Sequence, residues 1–395
     1  MLNSDDNFWL ILVEKIIPKK LFYPTNIFQR AMFLESRKTN NISIVSKATN
    51  SQLEAVAKQI LKDNKENLVS VHSAATVAFP TSNEREVPRY ADAQQPPIRK
   101  PARLKSHIWR CVQTLPGNSP AVAISPNGEL LASGSIQIKL WDLQTGNWVD
   151  TISGNTGILK ALAFTPDGKQ LISAGLSQTI RVWNLQSGKQ VRAFTPHAYA
   201  VNSVAIHPQG KVFASSDRGK GIQLWQQDCE SAIASWLTHQ DWVCSVKFSS
   251  DGHLLASGSY DKTIKVWDVE EGTEIATSPE FSSRLNQIAW SGDNSVIACA
   301  GADGTLGLWF LLTGEIKTIS ADSDEIYTVA FHPQGNLVVT AGSDRTVKFW
   351  SIHTGQEIVR LTGHENTVKN ITFSRDGETL VSADNDGVIK VWQQA

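Results

Sequence analysis

Short runs of alternating apolar and polar residues return along most of this chain at an almost fixed interval. Seven of them end in tryptophan: IKLW, IRVW, IQLW, IKVW, LGLW, VKFW and IKVW, closing at Trp141, Trp183, Trp225, Trp267, Trp309, Trp350 and Trp392. The intervals are 42, 42, 42, 42, 41 and 42 residues. Alternation at period two, with β-branched residues at the apolar sites, predicts strands with one buried face. Upstream of each lies a second apolar run: LLASGS, LISAGL, VFASSD, LLASGS, VIACAG, LVVTAG, TLVSAD. Before that comes a turn: SPNG, TPDG, HPQG, SSDG, SGDN, HPQG, SRDG. Pro fixes φ and Gly supplies positive φ, so these tetrapeptides reverse the chain between antiparallel strands. A third run precedes the turn, as in VCSVKFS and VKNITFS. After the Trp strand a second turn (QTG, QSG, EEG, LTG or HTG) leads to a fourth, more polar strand.

Four antiparallel strands in each of seven units predict an all-β fold, a seven-bladed β-propeller over residues 105–395. The repeats resemble the WD40 family, whose WD dipeptide stands at Trp141–Asp142 and Trp267–Asp268 and whose Gly-His pair stands at Gly363–His364. The likeness runs from about residue 107 to residue 395, in seven in-phase copies. The last unit stops at VWQQA, directly after its third strand, and WRCVQTL (Trp109–Leu115) reads as an orphan fourth strand. That segment is expected to complete the last blade and lock the ring, leaving no open sheet edge there.

Six residues before the repeat Trp stand Asp261, Asp303, Asp344 and Asp386, with Ser135, Ser177 and Gly219 in the first three units. Ten residues before it stand Ser173, Ser215, Ser257, Thr340 and Ser382, with Cys299 in the fifth unit. His197, His239 and His364 occupy leading turns. By this register two units hold a full set: His239, Ser257, Asp261, Trp267 and His364, Ser382, Asp386, Trp392. A hydrolase would use such a Ser, His and Asp as nucleophile, base and orienter. Three features favour a structural role. The set recurs, it includes an indole donor that a nucleophile does not need, and no GxSxG elbow exposes the serine. The WD40 resemblance implies a buried hydrogen-bonded network, with no catalytic residue. Asp261→Ala or Asp386→Ala is then expected to destabilise the fold, and units one to three, lacking the Asp, are expected to be the less rigid ones. The remaining His207, His332 and His353 lie in turns and are expected at the surface, without metal-ligand spacing.

The same resemblance implies a rigid platform that holds a protein or peptide partner on one face. Read round the ring, the positions before the first strand and before the Asp are Ile158, Leu176, Arg218, Trp242, Tyr260, Arg284, Ala302, Glu325, Ser343, Thr367 and Asn385. Units three to five contribute Arg218, Trp242, Tyr260 and Arg284, residue types enriched in interface hot spots. These four are the candidate partner-binding residues. The plain alternative is that Trp242 and Tyr260 merely pack on each other as loop neighbours.

Residues 1–104 stand outside the repeat. A capping box at Ser51–Glu54, followed by Leu53, Val56, Ile60, Leu61 and Leu68, predicts an amphipathic helix. Two more helical stretches are expected at Asp5–Ile17 and from Thr25, which makes residues 1–79 a small helical region. Pro80, Pro88, Pro96, Pro97 and Pro101 mark residues 80–104 as an extended linker. Charge divides unevenly: 15 Lys/Arg against 10 Asp/Glu in residues 1–104, and 22 against 28 in the rest. An acidic propeller disfavours nucleic acid, with the basic N-terminal part as the alternative site for it. The four cysteines show no CxxC spacing, and the apolar run Phe8–Ile17 is too short to span a bilayer. The expectation is a cytoplasmic, non-enzymatic scaffold without cofactor or metal.

Overall fold

The computed structural model describes residues 108–394, apart from 118, 119, 196, 227, 230, 323 and 336. The helical region 1–79 and the linker 80–104 lie outside the described residues. Strands β1 to β28 follow in chain order and form seven four-stranded antiparallel sheets. Blade 4 shows the plan: β14 (Val243–Phe248), β15 (Leu254–Ser259), β16 (Ile264–Asp268) and β17 (Thr273–Thr277) pair in sequence. Buried residues run through β15 almost without a break, because neighbouring blades cover both of its faces, whereas β17 is largely exposed. The first strands of the blades are β2 (Ala121–Ile124), β6 (Leu159–Phe164), β10 (Val201–Ile206), β14, β18 (Leu285–Trp290), β22 (Ile326–Phe331) and β26 (Val368–Phe373). Each touches the first strands of both neighbours, so these seven form the inner ring.

Ring closure uses the segment that precedes the first repeat. Strand β1 (Trp109–Pro116) pairs with β28 (Val388–Gln394), which pairs with β27 (Thr379–Asp384) and β26. Trp109 lies opposite Gln394, and Pro116 opposite Val388. Trp109 is buried between blades 6 and 7 with its ring centroid 5.2 Å from that of Phe349. Leu115, at the other end, enters the core between blades 7 and 1 with Leu131, Trp141 and Val381. One strand thus ties the last blade to both of its neighbours.

Side chains also clasp the inner strands to one another, satisfying edge groups that face the channel. Asn202 Nδ2 donates to the Val243 carbonyl at 3.1 Å and Asn286 Nδ2 to that of Ile326 at 2.7 Å. The Val329 amide donates to Gln287 Oε1 at 2.8 Å and the Ile371 amide to Thr328 Oγ1 at 3.2 Å. Two of the turn histidines expected at the surface serve the same end. His332 is buried, and its Nε2 lies 3.1 Å from the Gly377 carbonyl of the next blade; His207 repeats this contact with Gly252. Their HPQG turns place the imidazole beneath the following blade, whereas His353 stays exposed.

Six outer strands carry a register shift opposite the repeat Trp, at Val112, Val149, Val191, Ile233, Ile275 and Ile358. All six residues are exposed. A bulge twists an edge strand and interrupts its hydrogen-bond ladder, which discourages pairing with another chain. The outer strand of blade 5 pairs without such a shift, and Lys317 stands there instead.

Candidate functional site

The acid in the turn of blade 4 is an internal tether. Asp261 Oδ2 lies 2.7 Å from His239 Nδ1, and His239 Nε2 lies 2.8 Å from Ser257 Oγ. Trp267 Nε1 donates to that same Oγ at 3.0 Å. A carboxylate can only accept, so His239 Nδ1 carries the proton; Nε2 then accepts from the Ser257 hydroxyl, whose oxygen takes the indole N–H. The Gln240 amide and the Thr263 amide and hydroxyl donate to Asp261 as well. Burial opposes its charge, yet the hydrogen bonds from His239 and Thr263 hold its pKa well below the usual carboxylate range. Distances alone would suit a catalytic triad. Ser257, however, is 0% exposed, and its oxygen is shared between the indole and the imidazole, so it meets no solvent-borne substrate.

Two corrections to the register follow. In blade 7 His364 Nδ1 pairs with Asp384 at 2.9 Å, not with Asp386; Nε2 meets Ser382 Oγ at 2.7 Å, which accepts from Trp392 at 2.8 Å. Asp386 is exposed and accepts from Asn366 Nδ2. Blade 3, where Gly219 stands six residues before the Trp, nevertheless has a complete network. His197 lies 2.8 Å from Asp217 and 2.7 Å from Ser215 Oγ, to which Trp225 donates at 2.9 Å. In both blades the acid ends the second strand, two residues early, and accepts turn amides: Gly219 and Gly221 onto Asp217, Asp386 and Val388 onto Asp384. The mark that separates the two forms is the residue two after the later site. Thr263, Thr305 and Thr346 donate hydroxyls to Asp261, Asp303 and Asp344, whereas Gly221 and Val388 have none to give.

Elsewhere the histidine is replaced. In blade 6 the buried Lys348 reaches Asp344 at 2.6 Å and donates to the Ala321 carbonyl at 2.6 Å, and Trp350 donates to Thr340. In blade 2 Asn155 lies 3.0 Å from Ser173, which takes the Trp183 N–H, and in blade 1, where the hairpin is two residues shorter, Trp141 donates to Ser133. Blade 5 fills the space with Phe281 and Cys299, and Trp309 Nε1 has no partner among the described residues.

On the face where these turns emerge, Arg218, Trp242, Tyr260 and Arg284 form one continuous stack. The Arg218 guanidinium lies 4.9 Å from the Trp242 ring centroid, and the Trp242 and Tyr260 rings stack at 5.4 Å and 27°. The Arg284 guanidinium lies 5.1 Å from the Tyr260 centroid, and its Nη2 donates to Glu325 Oε1 at 3.0 Å. Stacking within the group therefore does not hide it: Trp242 stays 38% exposed. Backbone bonds hold the paired turns in register, with Tyr260 N on the Trp242 carbonyl, Arg218 N on Ala200 and Leu176 N on Ile158, all at 2.9–3.1 Å. Tyr199 is exposed and lies against Gly219, where an added Cβ would come within 2.2 Å of its ring. Ile136, Ile158 and Leu176 continue the apolar rim over blades 1 and 2. Reading the ring position by position misses Tyr199, one residue before the counted position of unit three, and Ile136, two residues after that of unit one.

Comparison with known proteins agrees with this geometry. The family model described as the IFT122 first β-propeller matches residues 118–393. The chain belongs to this WD40 β-propeller family. Periodic tryptophan protein 2 homolog of Neurospora crassa is 39% identical over 61 residues, 15% of this chain and 7% of that protein. An uncharacterized WD repeat-containing protein of Synechocystis sp. is 37% identical over 73 residues, 17% of this chain and 21% of that protein. Periodic tryptophan protein 2 of Saccharomyces cerevisiae is 34% identical over 61 residues, 15% and 7% of the two chains. Each match covers less than a quarter of the relative's length.

The WD40 networks make stability depend on pH in a definite sense. Burial lowers the His364 pKa below its ordinary 6.5, against the opposite pull of Asp384. The unfolded chain therefore binds a proton that folded His364 resists. Its contribution is complete above about pH 6.5 and is lost as pH falls through that value toward the folded pKa. For Asp217, burial raises and the bonds from His197 and the turn amides lower, leaving a net depression, as at Asp261. Their contributions persist above about pH 3.9 and are lost below it. Urea midpoints titrated downward from neutral pH are expected to decline first below about 6.5 and again below about 4. A flat midpoint between those values would remove His364 from the account.

Proposed function

We propose that the propeller is a protein-docking scaffold whose contact surface centres on the Arg218–Trp242–Tyr260–Arg284 stack. WD40 propellers serve as rigid platforms, and the observation that carries this reading is the stack itself. Two guanidiniums and two aromatic rings lie in van der Waals order on one face, anchored at Glu325. Rings and guanidiniums already held in place lose little conformational freedom when a partner covers them, so more of the contact energy appears as affinity. The apolar rim of Ile158, Leu176 and Tyr199 widens the area that a partner buries.

Affinity capture with the wild-type chain and with a Trp242→Ala/Arg284→Ala variant tests the reading. Removing two hot-spot side chains is expected to weaken partner retention by more than about tenfold, with unfolding temperatures matching. The same partners held equally well by both proteins would place the docking surface elsewhere.

A further inference from the structure

We propose that the upper mouth of the central channel receives an acidic side chain from a partner peptide, flanked by apolar residues, between Lys160, Arg218 and Lys369. This rests on the docking surface proposed above and names its ligand chemistry. In six of the seven inner strands, all but β2, the second residue belongs to one tier at that mouth: Lys160, Asn202, Cys244, Asn286, Tyr327 and Lys369. The tier divides into two halves. Over blades 5 and 6 the Glu325 carboxylate is fully engaged, accepting from Arg284 Nη2 and Asn286 Nδ2 at 3.0 Å each and from the Tyr327 hydroxyl. Over blades 2, 3 and 7, Lys160, Arg218 and Lys369 form no ion pair among the described residues. Arg218 is steadied by the Trp242 ring and by Asn202 Oδ1 at 3.4 Å, and Lys369 Nζ sits 3.0 Å from the Tyr327 ring centroid.

Lys160 lies within electrostatic reach of both Arg218 and Lys369. Partial burial, then the Arg218 charge, lower the Lys160 pKa; Lys369 is lowered by burial, raised by Glu325 and lowered again by Lys160. An anion placed between them relieves both the repulsion and the missing solvation, at a site already braced by rings and amides. The adjoining rim is apolar, with Ile158, Leu176 and Tyr199 exposed beside the cations, which suits aliphatic neighbours of the acid. A second copy of the same face would oppose cation to cation. A separate acidic partner remains.

The probes are short fluorescent leucine- and alanine-flanked peptides with paired Glu, phosphoserine, paired Gln or paired Lys at the centre, titrated against the full chain. The Glu peptide is expected to bind at least about tenfold tighter than the Gln and Lys peptides, and to weaken as salt rises. A phosphoserine peptide that binds where the Glu peptide does not would overturn the carboxylate as the ligand. Lys160→Glu/Lys369→Glu is expected to abolish the preference, and Lys160→Gln/Lys369→Gln to reduce it, with melting curves unchanged. Equal binding of all four peptides, or an acidic preference that survives charge reversal, overturns the proposal. So does displacement of the acidic peptide by a single-stranded oligonucleotide that itself binds the mouth. Partner capture lost in Trp242→Ala/Arg284→Ala but kept in Lys160→Glu/Lys369→Glu removes the acidic ligand and leaves the docking face standing.

Discussion

Removing residues 105–116 while keeping the rest of the chain is expected to open the ring, with a loss of more than about 5 kcal/mol. The deletion takes away Trp109 and Leu115, which occupy two separate inter-blade cores. Truncation of a buried aromatic or leucine by itself costs about 3 kcal/mol. It also leaves β28 as an unprotected outer edge along its whole pairing with β1, from Val388 to Gln394. An exposed edge of this kind recruits other strands, so the deleted protein is expected to self-associate as well as melt early. The milder Trp109→Ala/Leu115→Ala pair keeps the backbone ladder and loses only the core contacts. Thermal unfolding and sedimentation of the two variants then separate packing from pairing. A synthetic WRCVQTLP peptide added to the deleted chain is expected to raise its melting temperature by strand addition. Unaltered melting of the deleted chain would mean that β1 does not close the ring.

Much of this architecture was legible because a propeller repeats its chemistry. Seven tryptophans at near-constant spacing define the third strands, and counting from them locates the turns, the inner strands and the missing outer strand. Counting fails where one physical task has two solutions. A buried imidazole needs one acid, which reaches it either from the hairpin turn, as Asp261 does, or from the end of the second strand, as Asp217 and Asp384 do. Blade 7 offers candidates at both places, and alignment to blade 4 selects Asp386. The local signal lay in Val388, which gives no hydroxyl to hold an acid at the turn. Blade 3 is therefore not one of the blades that lack the tether, as its Gly219 had suggested. Lys348 was invisible for another reason. Its position two before the Trp faces solvent more in blade 4, where Lys265 pairs with Glu274, and only the absence of a histidine in blade 6 opens room for it inside. The stack on the upper face was legible as a set of residue types, but its order depended on which turns touch, a property of the closed ring.

Asp384→Ala and Asp386→Ala form the sharpest test of the network, because the two acids are two residues apart and differ in almost everything else. Asp384 is 2% exposed and is the acceptor for His364 Nδ1 and for the Asp386 and Val388 amides. Its removal strands three donors, two of them where the hairpin turn enters strand β28, and a cost of about 3 kcal/mol is expected. Asp386 is exposed and bonded to Asn366 alone among the contacts described for its side chain, so its removal is expected to leave the urea midpoint unchanged within error. Asp384→Asn keeps an acceptor oxygen but gives up the charge that favours the Nδ1–H tautomer, and is expected to fall between the two. Asp384→Ala also removes the pull that raises the His364 pKa against burial, so the decline below pH 6.5 described for His364 is expected to deepen in that variant. Equal losses from Asp384→Ala and Asp386→Ala would return the tether to the turn position. A loss confined to Asp384 places the acid of blade 7 at the strand end, where the closing blade gains its rigidity without exposing a serine to solvent.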